Sequence, residues 1–396
     1  MKPKSPAVPS TLIALAFALA AAALVAGCQN INVDTEKLLS PIVSNGRADG
    51  RFVPGTNDEV TITDPNDGST VKYSIDGGAT LDYSGPFTVN DDATVEAWVE
   101  KPGLVPSART AASFRLAWRV LDTSLTIPRY YHAVVSDGSK VWVMGGMTTS
   151  SVDTLTCEVV DLSGESPSIS DAQDLNAWKK YFQAALVDST IYALGGDDAS
   201  VISHAFGSTE GAWATEATSL ASTRNNSQAA VIDGSIFIPF GTLAGASTID
   251  RYQPGVASED IALSGTPPEQ ACPAVFALDK ILYSVGSADS VSVGTVLAYD
   301  TDGATWSSSE AIPVGTKPVE NASAVALADG RAIVINKDEV LIRAVDGTWR
   351  LDGLPVPDNG RRCAGAALIN GKIYVFGGIP TTSTIATDTI LEFSPP

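Results

Sequence analysis

Six apolar segments, each closing on or near a pair of small residues, recur between Ala117 and Pro396, and this recurrence limits the fold more than any other feature. They end in Val143-Met144-Gly145-Gly146, Ala193-Leu194-Gly195-Gly196, Ile238-Pro239-Phe240-Gly241, Ser284-Val285-Gly286, Ile333-Val334-Ile335-Asn336 and Val375-Phe376-Gly377-Gly378. Counted from positions 145, 195, 240, 285, 335 and 377, the intervals are 50, 45, 45, 50 and 42 residues. A period of roughly 40 to 50 residues accommodates four short strands per unit, which is the pattern of propeller blades. Six such segments predict six blades in an all-β chain.

Other residues keep the same phase. Trp118, Trp213, Trp306 and Trp349 stand 27 to 29 residues before the closing positions 145, 240, 335 and 377, and Arg129, Arg224 and Arg361 stand 16 before 145, 240 and 377. Leu297-Ala298-Tyr299-Asp300 and Val159-Val160-Asp161 fit a third strand of the unit. In these positions residues 117–396 resemble kelch repeats, although only three of the six doublets are intact Gly-Gly. The resemblance implies a six-bladed kelch-like β-propeller. The phase also predicts closure: Ile390-Leu391-Glu392-Phe393 lacks a following Trp strand, and Trp118 precedes the first unit without one of its own. Pairing the strand near Arg115 to Val120 with the last unit removes a free sheet edge.

Upstream, residues 51–116 alternate apolar and polar with period two, as in Val60 and Ile62, Val71, Tyr73 and Ile75, and Val95, Ala97 and Val99. Such alternation predicts an antiparallel, Ig/fibronectin-like β-sandwich with one face buried. Asp64-Pro65-Asn66-Asp67-Gly68, Asp76-Gly77-Gly78 and Ser84-Gly85-Pro86 supply the turns. The stretches Val71 to Gly78, Tyr83 to Phe87, Thr94 to Val99 and Pro102-Gly103 before Ser107 resemble the small sandwich at the C-terminus of chitobiases and related hexosaminidases. In that family the module accompanies other domains and is not catalytic, so the resemblance does not imply a glycosidase.

The chain starts with two lysines, Lys2 and Lys4, followed from Leu12 to Val25 by an almost wholly apolar, Ala-rich run. That run is shorter than the ~20 apolar residues a membrane span needs and has the form of a signal peptide. Val25-Ala26-Gly27-Cys28 resembles the bacterial lipobox. This implies cleavage after residue 27, lipidation of Cys28 and a stable anchor of several acyl chains. Residues 28–50 are polar and aperiodic and read as a flexible tether. Gln29 in place of Asp at the second mature position implies the outer membrane as the destination in a Gram-negative cell. The expected location is therefore the bacterial cell envelope, with the membrane as one partner through the lipid. Loss of Lys2 and Lys4 takes the formal net charge from −20 to −22, which disfavours nucleic acid as a partner. Beyond Cys28 the cysteines are Cys157, Cys272 and Cys363, without Cys-x-x-Cys spacing; no zinc site or disulfide framework follows, and no pair can be named.

No linear motif carries chemistry. His132 and His204 are the only histidines, too few for a copper centre of the galactose-oxidase kind, and His132 occupies a common kelch position. Asp300 to Trp306 resembles a sialidase Asp-box, but Thr301 replaces the expected Asp, and Arg129, Arg224 and Arg361 are explained by the repeat. Asp64 to Gly68 and Asp300 to Gly303 do not match calcium-loop spacing. Trp98, on the polar face between Glu96 and Glu100, is the candidate for sugar stacking, although packing also explains it. The expected function is a non-catalytic, membrane-anchored binding lipoprotein that presents its propeller to an envelope protein or glycan, with no catalytic residue, cofactor or metal. The alternative is a carbohydrate-binding or carbohydrate-processing envelope protein.

Overall fold

The structure, a computed structural model, describes residues 37–396 apart from 165, 208–210, 242–247, 263–269, 289–290, 293 and 309. Cys28 and the signal segment lie outside the described residues. None of the described helices is long and apolar enough to cross a membrane.

The N-terminal unit consists of two sheets. Strands Ile42–Ser44, Glu59–Thr63 and Phe87–Thr88 form one, and Arg51–Phe52, Thr110–Leu116, Ala93–Glu100, Thr70–Ile75 and Leu81–Asp82 the other. The alternation seen in the sequence aims Val60 and Ile62 inward, both buried, against Val71, Val95, Ala97 and Val99 of the larger sheet. Tyr73 stacks on Phe87 with ring centroids 4.6 Å apart and ties the two sheets together. Leu38 is buried in this core, and Ile42–Ser44 pairs with Glu59–Thr63. Part of the segment read as tether thus belongs to the folded unit.

The rest of the chain makes six four-stranded antiparallel sheets in succession. The first comprises Ala133–Ser136, Lys140–Met144, Cys157–Asp161 and Ser168–Ala172, and the next four begin at Gln183–Val187, Ala230–Ile232, Ala271–Leu278 and Ser323–Ala326. The sixth takes Gly365–Ile369, Lys372–Phe376 and Thr389–Phe393 from the end of the chain and Trp118–Ser124 from the start of the region. In it Trp118 pairs with Phe393 and Val120 with Leu391, the pairing that the repeat phase requires.

Second strands such as Lys140–Met144 are buried on both faces because each sheet packs face to face on its neighbours. Trp142 and Met144 pack toward the second sheet, whereas Val141 and Val143 pack toward the sixth. Full burial of each such side chain contributes about 1.5–3 kcal/mol. The sheets stay separate and open: β-ladders stop at the edges of each, and none curls or closes on itself. The closed six-bladed kelch-like propeller expected from the repeat is therefore corrected to an all-β assembly of many small separate sheets. A period of 40–50 residues counts strands per unit but carries no information on closure. The chitobiase-type and Ig/fibronectin-like assignments are likewise replaced by a plain pair of packed sheets.

The in-phase arginines are internal braces. Arg129 donates to the carbonyl oxygens of Gly145 and Thr156 and pairs with Glu158 at 2.6 Å, both side chains being buried. Arg224 repeats this on Phe240 and Thr248. Where the sequence pattern lapses, Lys179 reaches Gly195 and Ser200, and Gln270 reaches Ser284 and Thr295. The doublets exist because the chain turns there in the left-handed region against a neighbour. Gly145 has φ 58°, and a Cβ on it would lie 2.8 Å from the Lys179 carbonyl oxygen.

Candidate functional site

Two residues beyond each brace position, the chain adopts positive φ at Tyr131, Tyr181, Asn226, Cys272, Asn321 and Cys363, all between 49° and 57°. Non-glycine residues take this conformation at a cost and cluster where a structure over-determines them. Here backbone hydrogen bonds do so: Asn226 N donates to Tyr181 O, Tyr181 N to Tyr131 O, Tyr131 N to Cys363 O, Cys363 N to Asn321 O and Asn321 N to Cys272 O. Six residues from six sheets are thereby joined edge to edge around one opening.

Below this arc lies a cavity of about 150 Å³ lined by the same six residues and by neighbours at or just before the leading strands, including His132, Gln183, Ser227, Gln228 and Ala322. A second recess of about 300 Å³ adjoins it, between Tyr130, Tyr131, Glu320, Asn321, Lys337, Arg362 and Cys363. On its other side Val134, Ala324 and Ala366 line both this cavity and a third, largely apolar recess of about 260 Å³. The cavity is thus polar and aromatic at one end and apolar at the other.

Three half-buried tyrosines crowd the polar end. Tyr130 and Tyr131 have centroids 5.1 Å apart, and Tyr131 and Tyr181 4.3 Å. Charges around them are paired: Lys180 with Asp153 at 3.1 Å and Lys337 with Glu320 at 3.0 Å. Burial raises the Tyr131 hydroxyl well above the ordinary phenol range, so it stays a neutral donor. Burial likewise pushes the Cys272 thiol up to about 12 and the Cys363 thiol up to about 11, the latter against a hydrogen bond from Tyr131 that works the other way. At neutral pH neither is a thiolate nucleophile. Burial, then the nearby Arg129 charge, lowers His132 to about 3, so its imidazole is neutral; a hydrogen bond to the Phe376 backbone acts in the opposite sense.

The other residues singled out from the sequence lie elsewhere. His204 is wedged between Trp142 and Trp213, its ring nitrogens facing the Ala205 and Gly211 carbonyls. Asp300 Oδ1 accepts from the Asp302 and Gly303 amides, and Asp64 Oδ1 from the Asn66 amide, so both acidic loops are self-bonded turns. Among the described residues no group of three or more His, Cys, Asp or Glu is poised to hold a metal, and Cys157, Cys272 and Cys363 are free thiols. Trp98 is 6% exposed, its indole N–H donates to Glu100 at 2.8 Å, and the Arg109 guanidinium covers its face at 3.7 Å. A sugar stacking there would first displace Arg109. The arc escaped sequence reasoning because its members are two Tyr, two Asn and two Cys scattered over more than 230 residues. The signal was positional: five of the six stand two residues after a brace, and Asn321 stands two after Val319 at the equivalent place.

No protein-family model matches the chain, and no curated protein does. Among solved structures the fold is widely represented, with 599 matching chains. One of them, titled "Structure of YjhT", superposes with a TM-score of 0.57 at 11% identity over 68% of this chain and 96% of that one. At this identity the likeness concerns the fold alone. The expectation of a non-catalytic platform that binds partners on a propeller surface is corrected on the cavity, to which the likeness adds the fold and no role. Six remote segments of the chain contribute residues to one open cavity, so the missing linear motif was no ground for reading it as a non-enzyme.

Proposed function

We propose that the chain is a carbohydrate-binding protein, able to process the sugar it holds, and that the sugar occupies the polar end of the cavity. The observation that carries this is the tyrosine cluster of Tyr130, Tyr131 and Tyr181 set against paired charges and neutral donors. Aromatic faces cover the C–H surface of a sugar while hydroxyls and amides meet its hydroxyl groups. Retaining or inverting glycoside hydrolysis uses two carboxyl groups about 5–9.5 Å apart. Glu320 is the one carboxylate in the described lining of the two recesses, so this reading assigns no hydrolytic pair. A glycan array probed with residues 28–396 and with Tyr181→Ala tests it: wild-type binding that the variant loses is expected, and absence of any sugar binding refutes it.

The setting is proposed with it. Cleavage after residue 27, lipidation of Cys28 and residence in the envelope, at the outer membrane in a Gram-negative cell, rest on the first 29 residues. The N-terminal unit and the six-sheet region are then held near a membrane.

A further inference from the structure

We infer that the N-terminal unit ends in a membrane-facing foot: Leu39, Ile42 and Val105, at the end remote from the six-sheet region, rest in the interface of the bilayer that holds Cys28. This depends on the proposed lipidation of Cys28 and adds the protein surface that meets the lipid.

Topology sets this end apart. Strand Thr110–Leu116 runs the length of the unit, starting after the 101–109 loop and ending two residues before Trp118, where the six-sheet region takes over. Thr70 pairs with Glu100 and Ile42 with Thr63, so the turn at 64–69 and the start of the described chain share the end that carries that loop. Arg51, which bonds to Asp352, pairs with Arg115 at the opposite end. The strand between puts about 23 Å from one end to the other.

The remote end is firmly built and turns apolar side chains to solvent. Leu38 is buried in one core cluster against which Leu104 packs. Ser40 Oγ donates to the Ala108 carbonyl oxygen, and Thr110 Oγ1 to that of Pro41. The residues after the two leucines, Leu39 and Val105, are 61% and 83% exposed, and Ile42 is 63% exposed. Apolar residues exposed singly are ordinary. Three on two cross-bonded segments at one end make an unpartnered patch.

The anchor and the charge identify what covers it. Ten residue steps separate Cys28 from Leu38, at most about 36 Å of chain, so a lipid on Cys28 confines this end to the vicinity of the bilayer and raises its effective concentration there. Segments 37–42, 64–70 and 100–109 carry Lys37, Lys101 and Arg109 against Asp64, Asp67 and Glu100, three charges of each sign, in a chain of net −20. The end is locally neutral, and a lipid surface does not repel it as it repels the acidic remainder. Three apolar side chains are too few to hold a protein on lipid alone. Added to an acyl anchor, they settle about 5–10 Å into the headgroup boundary.

The test couples residues 28–396 through the Cys28 thiol to a maleimide lipid in phosphatidylcholine vesicles and follows backbone hydrogen exchange by mass spectrometry. Coupling is done at neutral pH, where burial keeps Cys157, Cys272 and Cys363 protonated. Exchange in 37–42 and 101–109 is expected to be about threefold or more slower than in the same protein with its Cys28 thiol capped. The variant Leu39→Ser/Ile42→Ser/Val105→Ser, coupled in the same way, is expected to lose that slowing; if it does not fold, coupled against capped wild type decides alone. Equal exchange in coupled and capped protein, or slowing that survives the triple substitution, overturns the foot. Slowing in capped protein that grows with protein concentration gives the patch to a second copy of the chain and overturns it as well. Because the link is chemical, these outcomes are separate from lipidation in the cell, which palmitate incorporation decides; absence of label there refutes the anchor and, with it, the foot.

Discussion

Arg51 and Asp352 lock the N-terminal unit to the six-sheet region, and replacing Arg51 by Met tests how much that joint contributes. The guanidinium reaches Asp352 with both terminal nitrogens, at 2.5 and 3.1 Å. The two side chains are 3% and 0% exposed, and the same guanidinium lies 5.0 Å from the Phe393 ring centroid. Removing one partner of a buried pair costs about 3–5 kcal/mol because the other charge is left behind. Arg47 at 3.7 Å and Arg350 at 3.9 Å still face the Asp352 carboxylate, which places Arg51→Met at the low end, about 3 kcal/mol. For a region of this size that corresponds to a fall of about 6–12 °C in melting temperature, read by scanning calorimetry. Arg51→Met/Asp352→Leu removes both charges and is expected within about 1 kcal/mol of the parent, since apolar replacement of a buried pair is often neutral. A double variant no more stable than the worse single one would show that the two residues do not act as a pair and would refute the reasoning.

Three further outcomes follow from local geometry and chemistry. Gly360 has φ 80°, and a Cβ on it would lie 2.0 Å from the Lys337 carbonyl oxygen; Gly360→Ala is expected to destabilise by more than about 1 kcal/mol, measured by chemical unfolding, and a neutral result would contradict the turn. The thiols of Cys157, Cys272 and Cys363 are held up to about 12, 12 and 11 by burial, so a thiol reagent at neutral pH should react slowly with folded protein and quickly with all three after denaturation. Because the folded chain keeps those protons while the unfolded chain releases them from about pH 9, stability should decline as pH rises from about 9 towards 12, a slope that Cys157→Ala reduces; stability that rises over that interval would reverse the sign. Cys28→Ser should abolish incorporation of labelled palmitate in a bacterial host, and retention of label would remove the anchor.

Much of the local structure was legible because it follows from short-range chemistry. Period-two burial placed Val60, Ile62, Val95 and Val99 inward, and the Trp118 to Phe393 pairing followed from counting strands in phase. Arg129, Arg224 and Arg361 read as structural because their spacing from the doublets is constant, and each is a buried brace. What did not follow is how the sheets relate to one another. Strand periodicity reports which face is apolar, and sheet closure depends on edges that meet only in three dimensions. The site was hidden for the same reason. Tyr131 and Cys363 exchange a backbone hydrogen bond across 232 positions of sequence, and neither residue type signals a function. Trp98 stood out because an aromatic flanked by carboxylates is conspicuous in one dimension, yet its ring is already covered by Arg109.

The account turns on where a sugar binds, and calorimetric titration of residues 28–396 with the strongest array ligand, run beside Tyr181→Ala and Trp98→Ala, tests that most directly. The expected result is an affinity at least tenfold weaker for Tyr181→Ala and unchanged for Trp98→Ala. Full affinity in Tyr181→Ala with loss in Trp98→Ala would move the site to the N-terminal unit and contradict the central claim.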